Sequence, residues 1–301
     1  MGFIAGLGMT NVDLLYKGMN RMPDKGEELY SEGFSLMLGG GLPATLINLG
    51  KLGIEAKICT CLGNDIFSGF AKNEYEKSGV KPIVLNSSAD IPLTITSAVI
   101  LPDDRSFISY KNDIEVNYEN EELFYNTAKG CDICLMNPNG FTDVYRKLKD
   151  DGAILVLDTG WDDELSFEKY GQYLELADYY TPNRKEAMKI TGENTPEKAA
   201  LSLKKYFDKV IVKVDSEGCI GIDGDREFFV KSVDNFSCVD STGAGDAFLA
   251  GFVYGIYHGY SFEECIEFGN ITGGNAVTKV GALGAQINEN ELIKIQNSYY
   301  L

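Results

Sequence analysis

Histidine is nearly absent from this chain: there is one, His258, in 301 residues. That excludes a metal centre built on several histidines, and it obliges any Ser-His-Asp or Cys-His triad to run through one residue beside Gly259. A general base is therefore expected to be a carboxylate. Basic residues are also scarce, 27 Lys and Arg against 45 Asp and Glu, and the formal charge of −18 repels phosphate backbones and anionic membrane surfaces. No nucleic acid and no membrane is expected as a partner. An anionic small ligand would need a local site of backbone N–H groups, a helix N-terminus or a bound cation.

Other absences narrow the field further. The apolar start Phe3 to Leu7 has no basic residues ahead of it and gives way to Asn11 and Asp13, so neither a signal peptide nor a spanning helix is expected and the expected location is cytoplasmic. No G-x-G-x-x-G opens a helix after the first strand, since Gly6-Leu7-Gly8 runs on into Met9-Thr10-Asn11, and no G-x-x-x-x-G-K-[ST] occurs. A dinucleotide oxidoreductase and a Walker-type NTPase are thereby unsupported. The seven cysteines are an odd number lying mostly in apolar stretches, and Cys131-Asp132-Ile133-Cys134 lacks a second pair or nearby His for zinc, so buried reduced thiols are expected.

What is present is an ordinary folded chain, 44% hydrophobic and 24% charged, long enough for one large α/β domain or two small ones. From Cys131 onward, strands over 131–136, 153–157, 177–181 and 209–214 alternate with helices over 142–150, 167–175, 184–191 and 196–207, the rhythm of a parallel sheet covered on both faces. A hairpin is expected over 219–231, and three helices over 244–257, 262–278 and 289–296. Strand pairs near 12–38 and 91–110 do not fit this rhythm and are expected to form a small accessory sheet, a lid over the strand ends. No repeat or linker interrupts the chain, so one domain over 1–301 is expected.

The densest chemistry lies in Asp240-Ser241-Thr242-Gly243-Ala244-Gly245-Asp246-Ala247-Phe248-Leu249-Ala250-Gly251. Gly243 and Gly245 allow a tight turn whose amides, with the helix dipole behind them, can hold a phosphoryl anion despite the net charge. Asp246 beside that hole is positioned to take a proton from a hydroxyl. A helix cap and a turn need no more than the same residues, so spacing alone leaves both readings open.

The segment DSTGAGDAFLAG resembles the D-[ST]-T-G-A-G-D-x-F-x-x-G motif of the ribokinase-like (PfkB) family of carbohydrate kinases. Gly39-Gly40-Gly41-Leu42-Pro43-Ala44-Thr45 resembles that family's G-G-x-x-x-N turn, Leu62-Gly63-Asn64-Asp65-x-Phe67-x-Gly69 its G-x-D-x-[FY]-G segment, and Thr181-Pro182-Asn183-x-x-Glu186 its P-N-x-x-E motif. The resemblance runs from about residue 3 to about 285 and implies a three-layer α/β/α ribokinase-like fold with a mostly parallel central sheet and a small β-sheet lid. It implies Asp246 as base and the Gly243, Ala244 and Gly245 amides as anion hole. Asp13 with Gly40 or Gly41 would hold sugar hydroxyls. Asn183 and Glu186 would orient Mg²⁺, largely through water, while Lys213, Asp215, Gly218 and Asn270 would lie near ATP. Asp240 and the Thr242 carbonyl match a monovalent-cation loop, K⁺ in relatives. A homodimer through the lid is also implied.

This sequence departs from the family at three places. The asparagine of the glycine turn is replaced by Ala44, or by Thr45 if one residue has slipped; the nucleotide loop reads Asp215-Ser216-Glu217-Gly218, without its first glycine; and Val280-Gly281-Ala282-Leu283-Gly284 lacks the usual proline. Gly41, where ribokinase proper carries a lysine, argues against that enzyme. The expected activity is ATP- and Mg²⁺-dependent phosphorylation of a primary alcohol of a small sugar, fructokinase- or ribokinase-like. A nucleoside kinase with Tyr16, Phe107 and Tyr110 walling a base, or a non-catalytic sugar- or nucleotide-binding protein on the same fold, are the alternatives. Arg105 is the candidate contact for a phosphosugar.

Overall fold

The computed structural model describes residues 2–102 and 104–300. In chain order the first half contains β1 (Ile4–Leu7), β2 (Asn11–Lys17), β3 (Gly33–Leu38), α1 (Leu42–Lys51), β4 (Ala56–Thr60), α2 (Ile66–Lys77), β5 (Val80–Val84), β6 (Thr94–Ile100), β7 (Arg105–Tyr110) and α3 (Tyr118–Ala128). There follow β8 (Ile133–Met136), α4 (Thr142–Asp150), β9 (Ile154–Leu157), α5 (Phe167–Leu176), β10 (Tyr179–Tyr180), α6 (Arg184–Thr191) and α7 (Pro196–Leu203). The chain closes with β11 (Lys209–Lys213), β12 (Gly218–Asp223), β13 (Arg226–Lys231), α8 (Ala244–His258), α9 (Phe262–Ala276) and α10 (Glu289–Tyr299).

Six short, mostly apolar strands pair in parallel in the order β10-β9-β8-β1-β4-β5, with β5 the less buried edge. Buried strands of this kind must satisfy both faces, and the pleat sends alternate side chains to opposite sides. Ile4, Ile58 and Leu135 accordingly join a core with α1, α8 and α9, through Leu46, Phe252 and Phe268. Ala5, Cys59 and Cys134 join a second core with α3, α4 and α5, through Phe124, Tyr145 and Tyr173. This is the three-layer ribokinase-like α/β/α fold expected. The antiparallel set β11-β12-β13 continues beside β10, tied by Lys213 N donating to Pro182 O at 2.9 Å and a parallel bridge between Asn183 and Lys213.

The two strand pairs outside the parallel rhythm form one four-stranded sheet, ordered β3-β2-β6-β7 and joined through parallel pairing of β2 with β6. Its β2 runs directly out of the turn after β1, so Asp13 stands beside the carboxyl ends of the large sheet. Helix α3 was not visible in the sequence. It buries only Asn120, Phe124 and Ala128, a stripe one side chain wide in YENEELFYNTA, and rests otherwise on the Asn117 cap and its early glutamates. The helix expected over 196–207 stops at Leu203, where a turn tucks Phe207 into the core.

All seven cysteines are free thiols, six of them buried and Cys238 exposed. Among the described residues, no helix is long and apolar enough to cross a membrane.

Candidate active site

At the carboxyl ends of β1, β8 and β9 a cavity of about 290 Å³ opens, lined among others by Gly8, Thr45, Asn137, Asp158, Thr159 and Asp246. In a parallel sheet this is where ligands sit, because the strand order reverses around β1 and the loops part there. The cleft lies between two helix starts. Helix α1 begins after Gly41 and α8 after Gly243, both glycines at left-handed φ (87° and 77°), and neither helix has a side-chain cap. Among the described residues, seven of the remaining eight α-helices carry such a cap. Ala244 N makes only a long turn contact to Ser241 O at 3.3 Å, and the neighbouring amides at the start of α8 are left for a ligand.

The glycine turn joins the two carboxylates that the sequence singled out. A Cβ on Gly39 would fall 2.2 Å from Asn11 Nδ2 and 2.9 Å from Asp13 Oδ1, and one on Gly40 would fall 2.8 Å from Asp246 Oδ2. Only glycine lets the backbone pass between them. Gly41 N donates to Asp246 Oδ2 at 2.8 Å, across 205 residues of sequence. Burial pushes Asp246 up to about 6, against the Gly41 hydrogen bond; the charge of Asp158 raises it further and that of Lys213 lowers it. Asp13 is buried on β2, where desolvation pushes it up to about 6 although Asn11 Nδ2 donates to its Oδ1 at 2.8 Å. Gly243 is needed twice, for its φ and because a Cβ would meet the Ala282 backbone at 2.6 Å.

Behind Asp246 lies a charged triangle. Lys213 Nζ, at the end of β11, contacts Asp158 Oδ2 at 3.1 Å, and Thr181 Oγ1 donates to the same oxygen at 3.2 Å. Burial acts to lower Lys213, but Asp158 and Glu186 outweigh it and its pKa rises. Glu186 is raised by burial and by the charge of Asp158. Asn183 and Glu186 form a reciprocal capping box at the start of α6: Asn183 Oδ1 accepts from Lys185 N and Glu186 N, and Glu186 Oε2 accepts from Asn183 N at 2.8 Å. Asn183 therefore has its oxygen committed to the helix, while Glu186 keeps its second oxygen and Asp158 stands across from it. No cluster of three His, Cys, Asp or Glu side chains with metal-site geometry occurs among the described residues. Two carboxylates beside an anion hole nevertheless suit Mg²⁺, which keeps most of its water and shares phosphate oxygens.

The nucleotide-loop departure has a clear structural form. Asp215 retains left-handed φ (56°) where the family motif has glycine, and its carboxylate pairs with Arg184 Nε at 2.9 Å. Gly218, at φ 125°, sits against β13, where a Cβ would lie 2.1 Å from Val230 O. Asn270, expected at the nucleotide, is buried and donates from Nδ2 to Val230 O and Lys231 O at 3.2 and 3.1 Å, so its amide ties α9 to β13. Of the two candidates for the slot after the glycine turn, both wholly buried in α1, Thr45 is the one that lines the cleft, with its Oγ1 unpartnered.

Arg105, expected at substrate, instead donates to Asp240 Oδ1 and Thr242 Oγ1 in the loop ahead of α8. Burial acts to raise Asp240, and its donors Gly281 and Thr242, with the charge of Arg105, outweigh it and hold the carboxyl below its usual range. The loop that the family motif assigns to K⁺ therefore has its carboxylate already filled by a guanidinium, and the residues present do not fit a resident K⁺. Asp158 was missed by sequence reading. Its only local cue was its place just after an apolar run, Ile154–Leu157, at a strand's carboxyl end.

The family model described as "pfkB family carbohydrate kinase" matches residues 1–288. Over 249 residues the chain is 28% identical to an uncharacterised sugar kinase of Archaeoglobus fulgidus, covering 78% of this chain and 96% of that one. It is 24% identical over 286 residues to a ribokinase of Lactococcus lactis, covering 92% and 91%. A solved structure of a putative ribokinase II from E. coli, in complex with ATP and Mg²⁺, superposes with a TM-score of 0.81 at 20% identity, covering 99% of this chain and all of the other. At that identity the superposition establishes the fold.

Proposed function

The chain belongs to the pfkB family of carbohydrate kinases, and on that premise we propose that it transfers the terminal phosphoryl group of ATP to a primary alcohol of a small, unphosphorylated sugar. The observation carrying this reading is the position of Asp246: fixed by the Gly41 amide, at the mouth of the cleft, in the first turn of an uncapped helix. Asp246 takes the hydroxyl proton, and burial has already brought its affinity for that proton close to neutrality. The amides of Gly243, Ala244 and Gly245 face the charge that develops on the transferred group. Asp13 and the Gly39-Gly40 backbone orient sugar hydroxyls from the β2 side. Glu186 and Asp158 are the residues to hold Mg²⁺ through water, and the ion, when bound, supplies neutralisation of the phosphate oxygens. Lys213 keeps these acids from repelling the nucleotide.

Two features favour a free sugar over the alternatives. Among the described residues lining the cleft there is no Arg or Lys to receive a substrate phosphate, and Arg105 is engaged elsewhere. Tyr16, Phe107 and Tyr110 do not line it either; Tyr16 packs on Phe34, with ring centroids 5.4 Å apart, and the other two are exposed. The one aromatic ring that does line it among the described residues, Tyr170, is buried and has its hydroxyl bound to Asp162, so the lid-strand wall that a nucleoside base would need is not formed there. The same four-stranded sheet exposes Phe34, Leu36, Phe107 and Ile108, which supports its pairing with a second copy and its closure over bound sugar.

The test is ADP release from ATP and Mg²⁺ against pentoses, hexoses, keto-deoxy acids, nucleosides and phosphosugars. Turnover confined to free sugars or sugar acids is expected. Turnover of nucleosides or phosphosugars alone, or of nothing in the panel, would overturn the assignment.

A further inference from the structure

The loop leading into α8 carries a cation that belongs to the chain itself. Asp240 is largely screened from solvent, its side chain 9% exposed, and four donors meet its carboxylate. Its Oδ1 accepts from Arg105, from Thr242 N at 3.0 Å and from Thr242 Oγ1 at 2.7 Å, and its Oδ2 accepts from Gly281 N at 2.8 Å. Arg105 also donates to Thr242 Oγ1. A buried carboxylate must be paired with positive charge, and here the guanidinium does this with fixed, directional donors. A second cation brought to the same oxygens would meet that guanidinium at contact distance.

The origin of the guanidinium matters as much as its charge. Arg105 opens β7, the edge strand of the four-stranded sheet, 135 residues away from Asp240. Asp240 and Thr242 immediately precede Gly243, whose amide begins the anion hole. On the other side of the carboxylate, Gly281 presses on Met37 and Leu15, side chains of β3 and β2. The sheet therefore reaches Asp240 by two routes, directly through the charge of Arg105 and indirectly by packing on Gly281, whose amide donates to the same carboxylate.

We propose that Arg105 is the built-in cation of this loop, replacing a dissociable monovalent ion and acting as a positioning residue that sets the anion hole when the four-stranded sheet is seated. This rests on the kinase reading above for its catalytic consequence and on geometry alone for the cation replacement. It follows that phosphoryl transfer in the native protein is indifferent to monovalent cations, and that removing the guanidinium opens a cation site lined by Asp240 and Thr242.

The experiment compares native protein with Arg105→Ala and Arg105→Gln in KCl and in tetramethylammonium chloride at equal ionic strength. Two readouts are taken, thermal unfolding without nucleotide and kcat with the active sugar. The native protein is expected to keep its midpoint and to change kcat less than about twofold between the salts. The variants are expected to lose at least about tenfold in kcat in tetramethylammonium chloride, to recover part of it in KCl or with added guanidinium ion, and to gain a K⁺-dependent rise in midpoint. Native protein activated or stabilised strongly by K⁺ would overturn the proposal, as would folded variants whose midpoint ignores K⁺. The thermal arm needs no acceptor, so failure of the kinase assignment and failure of the cation replacement are told apart. Should neither variant fold, the K⁺ response of the native protein still decides the matter.

Discussion

Replacing Asp246 by Asn changes one oxygen for an NH₂ group and leaves an Oδ1 able to accept from Gly41 N, so the turn geometry survives while the base is lost. General-base contributions are worth about a hundredfold to ten-thousandfold, and kcat should fall by at least about a hundredfold with nucleotide affinity retained. Stability should move the other way. The native carboxyl is raised from 3.8 to about 6, which converts to about 3 kcal/mol against ionisation. Solvent reaches this half-buried group, so a realistic cost is about 1 kcal/mol. A group with a raised folded pKa favours folding fully below about pH 4, and that contribution disappears as pH rises through 6. The Asn variant should therefore melt about 2 °C higher than native at pH 7.5, with the difference closing towards pH 4. In the native enzyme, activity should climb with pH through an acid limb near 6. Asp13 titrates in the same range, so the limb must be read again in Asp13→Asn, where the Asp246 contribution persists. Turnover within tenfold of native in the Asp246→Asn variant would refute the assignment of the base.

Two further changes probe the surroundings of the site. Lys213→Met leaves Asp158, Glu186 and Asp246 without their shared cation, so the acid limb of the pH-rate profile should move to higher pH; an unmoved limb would exclude Lys213 from the electrostatics of the base. Gly218→Ala forces a Cβ to within 2.1 Å of Val230 O at φ 125° and should cost at least about 2 kcal/mol in urea unfolding, a loss an unchanged midpoint would contradict.

Much of the site was legible because its parts are local. The sharp turns at Gly243 and Gly41, the helix beginning at Ala244, the helix over 184–191 and the alternation of short apolar strands with helices are all short-range patterns, decided by backbone sterics and by periodicities of 2 and 3.6 residues. The same reasoning explains the loss of α3, whose buried stripe is too thin to set a period, and of Asp158, a lone acid after an apolar run.

The sequence by itself determined which segments become strands, helices and glycine turns, the sign of the overall field, and the family, through motifs that carry their own geometry. Only the tertiary structure decided which of those segments meet. Asp246 reaches Gly41, Lys213 reaches Asp158, and Arg105 crosses from an edge strand to fill the Asp240 loop. These contacts lie 205, 55 and 135 residues apart, and each depends on strand order and on the seating of one sheet against another. Burial fixes such pairings only when all the layers close together, so no window of sequence contains them.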